Sequence, residues 1–98
     1  MPTYITLMKL TEMGLKDLKS APERLQTHFK VWELLGGKMI GAYFVMGEYD
    51  YVAITEAPND EAATTANLAI SARDHVKTAT MRAFSIKEFG ELAGKLPG

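Results

Sequence analysis

KMIGAYFVM, running from Lys38 to Met46, is a stretch with no polar side. Alternate residues of a β-strand point to opposite faces of a sheet. One face here carries Met39, Gly41, Tyr43 and Val45, and the other carries Ile40, Ala42, Phe44 and Met46. An antiparallel strand with one wet face alternates apolar and polar residues, and this one does not. TYITLMKL, Thr3 to Leu10, behaves in the same way, with Ile5 and Leu7 on one side and Tyr4, Met8 and Leu10 on the other. The sheet that these strands enter therefore needs cover on both faces.

The rest of the chain supplies that cover on one face only. Thr3 to Leu10 is rich in β-branched and aromatic residues and predicts a strand. After the break at Thr11-Glu12-Met13-Gly14, Leu15 to Lys19 reads as a short helical turn. Ser20-Ala21-Pro22-Glu23 then starts a helix, because proline fits the first helical position and Glu23 places negative charge at the positive end. Leu25, Phe29 and Trp32 recur on one helical face. Gly36-Gly37 ends the helix after about Leu35, glycine accepting the left-handed conformation of a C-terminal cap.

Lys38 to Met46 and Tyr51 to Ala57 form a hairpin through Gly47-Glu48-Tyr49-Asp50, with Gly47 suited to the first central position of a type II′ turn. Asn59 suits the N-cap of an alanine-rich helix from Asp60 to about Arg73. Val76 to Phe84 is a fourth strand. Ser85-Ile86-Lys87-Glu88 matches a capping box and opens a short terminal helix to about Ala93. The order is β-α-β-β-α-β, an α+β domain with an added C-terminal helix. Two long helices cover one face of its sheet. A second copy, sheet on sheet about a two-fold axis, is the expected cover for the other; the alternative is the C-terminal segment folding over it.

Composition sets limits around this reading. The 98 residues suit one domain, and a chain of this size buries a smaller fraction of its surface than a large one does, which also favours a partner subunit. Eleven basic and twelve acidic residues are spread along the chain with a net charge of −1, so the basic field expected of a nucleic-acid binder is missing. No apolar run approaches the ~20 residues of a membrane span. Met1-Pro2-Thr3-Tyr4 lacks the basic and apolar regions of a secretory signal, and a cytoplasmic location is expected. With no cysteine, thiolate nucleophiles, cysteine-ligated zinc and disulfides are excluded.

The opening MPTYITLMKLTEMG, the helix start SAPER, the hairpin VMGEYDYV, the segment EAPNDEAA and the strand TATMRAF together resemble the GYD-domain family. That family is named for a Gly-x-Tyr-Asp hairpin, here Gly47, Tyr49 and Asp50. The resemblance spans nearly the whole chain. It implies a ferredoxin-like fold with an antiparallel four-stranded sheet, of the dimeric α+β barrel type. Relatives by fold include monooxygenases, isomerases, haem-dependent enzymes and stress-induced proteins, so the resemblance implies a fold and not a reaction.

Candidate site residues each carry two readings. Asp50 is a general base with Tyr49 as donor beside it, or Asp50 satisfies nearby backbone N–H groups in the turn. His28, on or beside the buried face of the first long helix, is an acid/base group or a core histidine. His75, with Asp74 adjacent, sits in the loop before the fourth strand and forms no His-x-x-x-His pair with His28, so no metal site is expected. Arg82 shares a strand face with Thr78 and Thr80. These hold a carboxylate, with Thr80 as hydroxyl partner, or make an edge salt bridge. Trp32, Tyr43 and Phe44 wall an aromatic pocket or are core. No cofactor is expected. The leading expectation is a homodimeric small-molecule-binding or stress-related protein. The alternatives are a monooxygenase or isomerase acting on a small aromatic or unsaturated acid, with His28 and Arg82 around one cavity, and a non-catalytic assembly module.

Overall fold

The computed structural model describes residues 1–73 and 75–98; Asp74, noted above beside His75, lies outside the described residues. Strand β1 (Thr3–Leu10) leads into a short helix α1 (Glu12–Lys16), a single 3₁₀ turn (Leu18–Ser20) and helix α2 (Ala21–Leu34). Strands β2 (Lys38–Phe44) and β3 (Tyr51–Glu56) precede helix α3 (Asp60–Arg73). Strand β4 (Val76–Ala83) and helix α4 (Ile86–Gly94) complete the chain. The four strands are ordered β2-β3-β1-β4 and every neighbouring pair is antiparallel. This is the expected α+β, ferredoxin-like arrangement.

Thr11 caps α1, its hydroxyl accepting from the Gly14 N–H, so this helix covers Glu12–Lys16 and not the Leu15 to Lys19 turn expected from the sequence. The remaining helix signals act as read. The α2 C-terminus closes with paired bonds, Gly36 N–H to the Glu33 carbonyl at 3.0 Å and Gly37 N–H to the Trp32 carbonyl at 2.8 Å, with Gly36 at φ 84°. The left-handed residue lets the chain turn back so that these two N–H groups reach the last carbonyls of the helix. Asn59 Oδ1 accepts from Ala62 N–H at 2.8 Å at the head of α3. The Ser85–Glu88 capping box is complete, and the Ser85 bonds to Glu88 hold its carboxyl below the usual range.

One sheet face is closed. Tyr4, Thr6, Met8 and Leu10 of β1 and Tyr51, Ala53 and Thr55 of β3 are buried there. They meet Trp32 of α2 and Ala63, Ala66 and Ile70 of α3. The small residues of α3 let that helix lie close to the sheet. The buried side of α2 carries Ala21, His28 and Trp32, with Leu25 and Leu35 packed against the core; Phe29 is half-buried beside them.

Two expectations for the hairpin change. The register of β2 against β3 shifts between Met39 and Gly41. A bulge puts two residues opposite one and breaks the two-residue period. Met39 therefore joins Ala42 and Phe44 on the helix-covered side, while Gly41 and Tyr43 stay with Ile54 and Val52 on the other. The strand also ends at Phe44, earlier than Met46. The loop closes by Val45 N–H to the Asp50 carbonyl at 2.8 Å, so four residues intervene where a two-residue turn was expected. Gly47 retains its positive φ, at 122°.

The other face carries Ile5 and Leu7, Val52 and Ile54, Gly41 and Tyr43, and Ala79 and Met81. No residue on it is buried, and Tyr43 and Met81 are exposed. The C-terminal segment does not fold over it, since no residue of α4 is buried.

Candidate functional site

The antiparallel register sets Arg82 of β4 opposite Tyr4 of β1, and Thr80 opposite Thr6. These residues face α3 along the β4 edge of the sheet. There two adjoining hollows of about 230 and 260 Å³ share Thr64, Asn67 and Thr80 and form one groove. One end is walled by Leu68, Ser71 and Thr78, and the other by Tyr4, Asp60 and Arg82. Thr6 and Thr80 hydroxyls bond at 2.9 Å, and those of Ser71 and Thr78 at 3.0 Å.

The Arg82 end holds the charge. The Tyr4 hydroxyl donates to Asp60 Oδ1 at 2.5 Å. Burial, with the neighbouring Asp60, pushes the Tyr4 phenol up to about 12. The Arg82 guanidinium lies 4.5 Å from the Phe84 ring centre and 5.9 Å from that of Tyr4, within cation–π range. Its Nη1 donates to the Thr3 carbonyl at 3.4 Å and to the Ala83 carbonyl. Asn67 donates from Nδ2 to the Ala63 carbonyl at 3.0 Å, while its shielded Oδ1 accepts no hydrogen bond among the described residues. Such a groove can hold a small polar molecule: a guanidinium for an acid group, hydroxyls that donate or accept, and an acceptor awaiting a donor.

The other candidates fall elsewhere. Asp50 Oδ2 accepts from the Leu10 N–H at 2.8 Å while its own N–H donates to the Met8 carbonyl at 2.9 Å, so the hairpin is latched to β1 through the backbone. Tyr49, beside it, is half-buried. His28 is buried next to a void of about 10 Å³ among Leu10, Ala21, Arg24, Leu25, Tyr51 and Val76, room for no more than a water. That void adjoins the Leu10 end of β1 and Arg82 the Tyr4 end, roughly 20 Å apart at the usual rise per residue. The single cavity expected around His28 and Arg82 does not form. Trp32 is core, tilted against Tyr4 at 6.2 Å between ring centres. Tyr43 lies on the opposite, uncovered face and Phe44 packs on Tyr51, so the three do not wall a common pocket. No group of three His, Asp or Glu residues among the described residues could hold a metal ion. None of their helices is long and apolar enough to cross a membrane.

Arg82 and Thr80 were legible from the alternation along the fourth strand. Tyr4, Asp60, Thr64 and Asn67 were not, because the β1–β4 register and the seating of α3 bring them in from distant parts of the chain.

This architecture is that of ferredoxin-like α+β proteins. The GYD-domain model matches residues 4–93, and the chain belongs to that family. A Thermus thermophilus protein described as a glutamine synthetase and cystathionine beta-lyase binding protein is 33% identical over 89 residues, covering 90% of this chain and 94% of its own. Among solved structures, one of a Thermus thermophilus protein superposes with a TM-score of 0.56 at 23% identity, over 87% of this chain and 95% of that one. The Mycobacterium tuberculosis leucine response regulatory protein gives 0.65 at 18% identity; this chain is matched over 86% of its length and spans about half (51%) of that one. At these identities the structures speak for the fold alone.

The phenol of Tyr4 provides a direct check on the charged end of the groove. A folded-state value of about 12 against about 10 for an unfolded tyrosine means that the folded chain holds this proton more tightly. The resulting stabilisation is complete below about pH 10 and is lost as pH climbs from there toward 12. Phenolate absorbance should show a late step near pH 12 that is absent in Tyr4→Phe; a variant that instead loses its amplitude near pH 10 would contradict the Tyr4–Asp60 hydrogen bond.

Proposed function

We propose that this chain is a homodimeric binding protein, in which two copies pack uncovered face to uncovered face and the pair holds other molecules without transforming them. The uncovered apolar face carries the reading. Ile5, Leu7, Val52, Ile54 and Met81 form one continuous patch with no helix over it. Soluble chains rarely leave such patches bare. A second copy is the economical occupant, because a two-fold axis brings the same apolar surface to both partners and sheets pack face to face about 10 Å apart.

The second element of the reading is a small ligand bearing an acid group in the groove between α3 and β4, its acid on Arg82 and its donors toward Asn67 Oδ1 and the hydroxyls of Thr64 and Thr80. In this reading a polar groove stands in place of the aromatic pocket weighed for Trp32, Tyr43 and Phe44. The third is the partner class. The Thermus thermophilus relative is described as binding two metabolic enzymes, and we extend enzyme partners of that kind, and with them a cytoplasmic location, to this chain. A monooxygenase or isomerase reading finds no support in the site, where His28 and Arg82 line separate hollows.

Sedimentation equilibrium should give a dimer at micromolar concentration. Ile54→Asp, which sets a charge in the middle of the patch, should give a folded monomer, and a monomeric wild-type protein would end the pairing. Purified glutamine synthetase and cystathionine beta-lyase from the source organism should bind the immobilised wild-type dimer. Failure of both to bind at micromolar concentration removes the enzyme partners from the reading. A panel of small hydroxy and amino carboxylic acids should contain members that raise the melting temperature of the wild type and leave Arg82→Ala unmoved. Equal shifts in both proteins would remove Arg82 from the site.

A further inference from the structure

The groove between α3 and β4 holds one charge of each sign, and the two do not neutralise each other. Asp60 and Arg82 line the same hollow of about 230 Å³, yet no ion pair joins them among the described residues. The Tyr4 ring stands between them. Its hydroxyl donates to Asp60 Oδ1 at 2.5 Å, and its ring centre lies 5.9 Å from the Arg82 guanidinium carbon. One ring and one hydrogen bond are therefore the most that separates the two charges. Asp60 and Arg82 are both exposed, so a ligand reaches them without any part of the chain moving.

The acceptors are gathered on the helix. At about 100° per residue, Asp60, Thr64 and Asn67 stand in one row along α3, beside the buried row of Ala63, Ala66 and Ile70. The Asn67 Nδ2 is committed to the Ala63 carbonyl at 3.0 Å, which fixes the amide. Its Oδ1 is shielded from water and accepts nothing among the described residues, and a shielded acceptor without a donor is costly. Across the groove the Arg82 guanidinium can only donate. The helix side of the groove thus asks for a donor or a cation, and the strand side asks for an anion.

We infer that the occupant of this groove is a small zwitterion, a free amino acid with its carboxylate on Arg82, its ammonium on Asp60 and its side chain directed along α3 toward Asn67. The inference rests on the acid-binding groove proposed above and adds Asp60 as the residue that selects among acids. A ligand with negative charge alone, such as a dicarboxylate, brings a like charge to Asp60, and one with positive charge alone does the same to Arg82; like-charge contacts of this kind exclude wrong ligands. A neutral ligand shields both charges from water and compensates neither. An amino acid carries ammonium and carboxylate on adjacent carbons, which suits charges no farther apart than one phenol ring and one hydrogen bond. A hydroxyl or amide on its side chain supplies the donor that Asn67 Oδ1 lacks, and the adjoining hollow of about 260 Å³ beyond Thr64 and Asn67 gives that side chain room.

The test is a chemical-shift titration of the full chain, read at the Asn67 side-chain amide and the Arg82 Nε–H. The probes are L-serine, L-threonine, L-asparagine and L-glutamine, with the 2-hydroxy acid and the α-carboxamide corresponding to each. At least one amino acid should shift both groups saturably, with a dissociation constant at least about tenfold below those of its own two analogues, the scale of one charge-assisted hydrogen bond. Asp60→Asn keeps an oxygen for the Tyr4 hydroxyl and removes the charge. It should weaken that amino acid about tenfold and leave the hydroxy acid as it was. Arg82→Gln should weaken the amino acid and the hydroxy acid alike and leave the carboxamide as it was. Hydroxy acids that bind as tightly as the amino acids, or an Asp60→Asn chain that binds the amino acid unchanged, would overturn the zwitterion while the acid-binding groove stands. Carboxamides that bind as tightly as the acids would remove Arg82 and overturn both. Shifts confined to residues outside the groove, or no shift with any probe, are the distinct failure of the groove itself, and they take the zwitterion with it.

Discussion

Both crossover helices lie on the same side of the sheet, and the other properties of this chain depend on that constraint. A strand–helix–strand crossover is right-handed, so α2 and α3, each linking strands of one sheet, must lie against the same face. They bury Tyr4, Met8, Tyr51 and Ala53 there. The sequence nevertheless places Ile5, Leu7, Val52 and Ile54 on the far face, where a protein meant to stand alone would carry polar residues. The domain is complete as a topology and incomplete as a solvated object. That mismatch points toward assembly more strongly than any single side chain points toward chemistry.

The two ends of the sheet are used differently. At the Leu10 end the signature hairpin ties the strands together. Asp50 takes the Leu10 N–H into its carboxylate and gives its own N–H to Met8, and Thr11 bonds the His75 carbonyl through both its backbone N–H and its hydroxyl. Aspartate with its small reach suits this double role, in which side chain and backbone of one residue serve two positions of a neighbouring strand. Its carboxylate is engaged in holding the fold. At the Tyr4 end the groups are less fully engaged. The Arg82 guanidinium rests on ring faces and carbonyls, and Asn67 has an acceptor to spare. The hairpin end of the sheet is tied by hydrogen bonds, and the Tyr4 end is where the proposed ligand groove lies.

What could be read in the sequence was local. The capping box at Ser85, the cap at Asn59, the glycine stop at Gly36 and the order of elements depend on residues within a few positions of one another, and each forms as read. The bulge at Met39–Gly41 was hidden because a register shift belongs to the pairing of two strands and not to either alone; it moved Met39 to the opposite face from the one that strict alternation assigns. The site was half legible for the same reason. Arg82, Thr80 and Thr78 share a face by alternation, but Tyr4 reaches Arg82 through a pairing between residues 78 positions apart. His28 was correctly placed on a buried helix face, but only the path of α2 across the sheet determines which end it faces.

Arg82 is the point at which the groove and the terminal helix meet. Its side chain closes the groove opposite Tyr4 and Asp60, and the same guanidinium lies over Phe84, the residue before the Ser85 cap of α4. An arginine stacked on an aromatic ring and hydrogen-bonded to its own strand is held in one orientation by weak contacts. An acid group presented by a ligand would compete with those carbonyls for its donors, since charge-assisted bonds to a carboxylate are the stronger kind. Arg82 thus stands between the groove and Phe84, the residue that precedes the cap of α4.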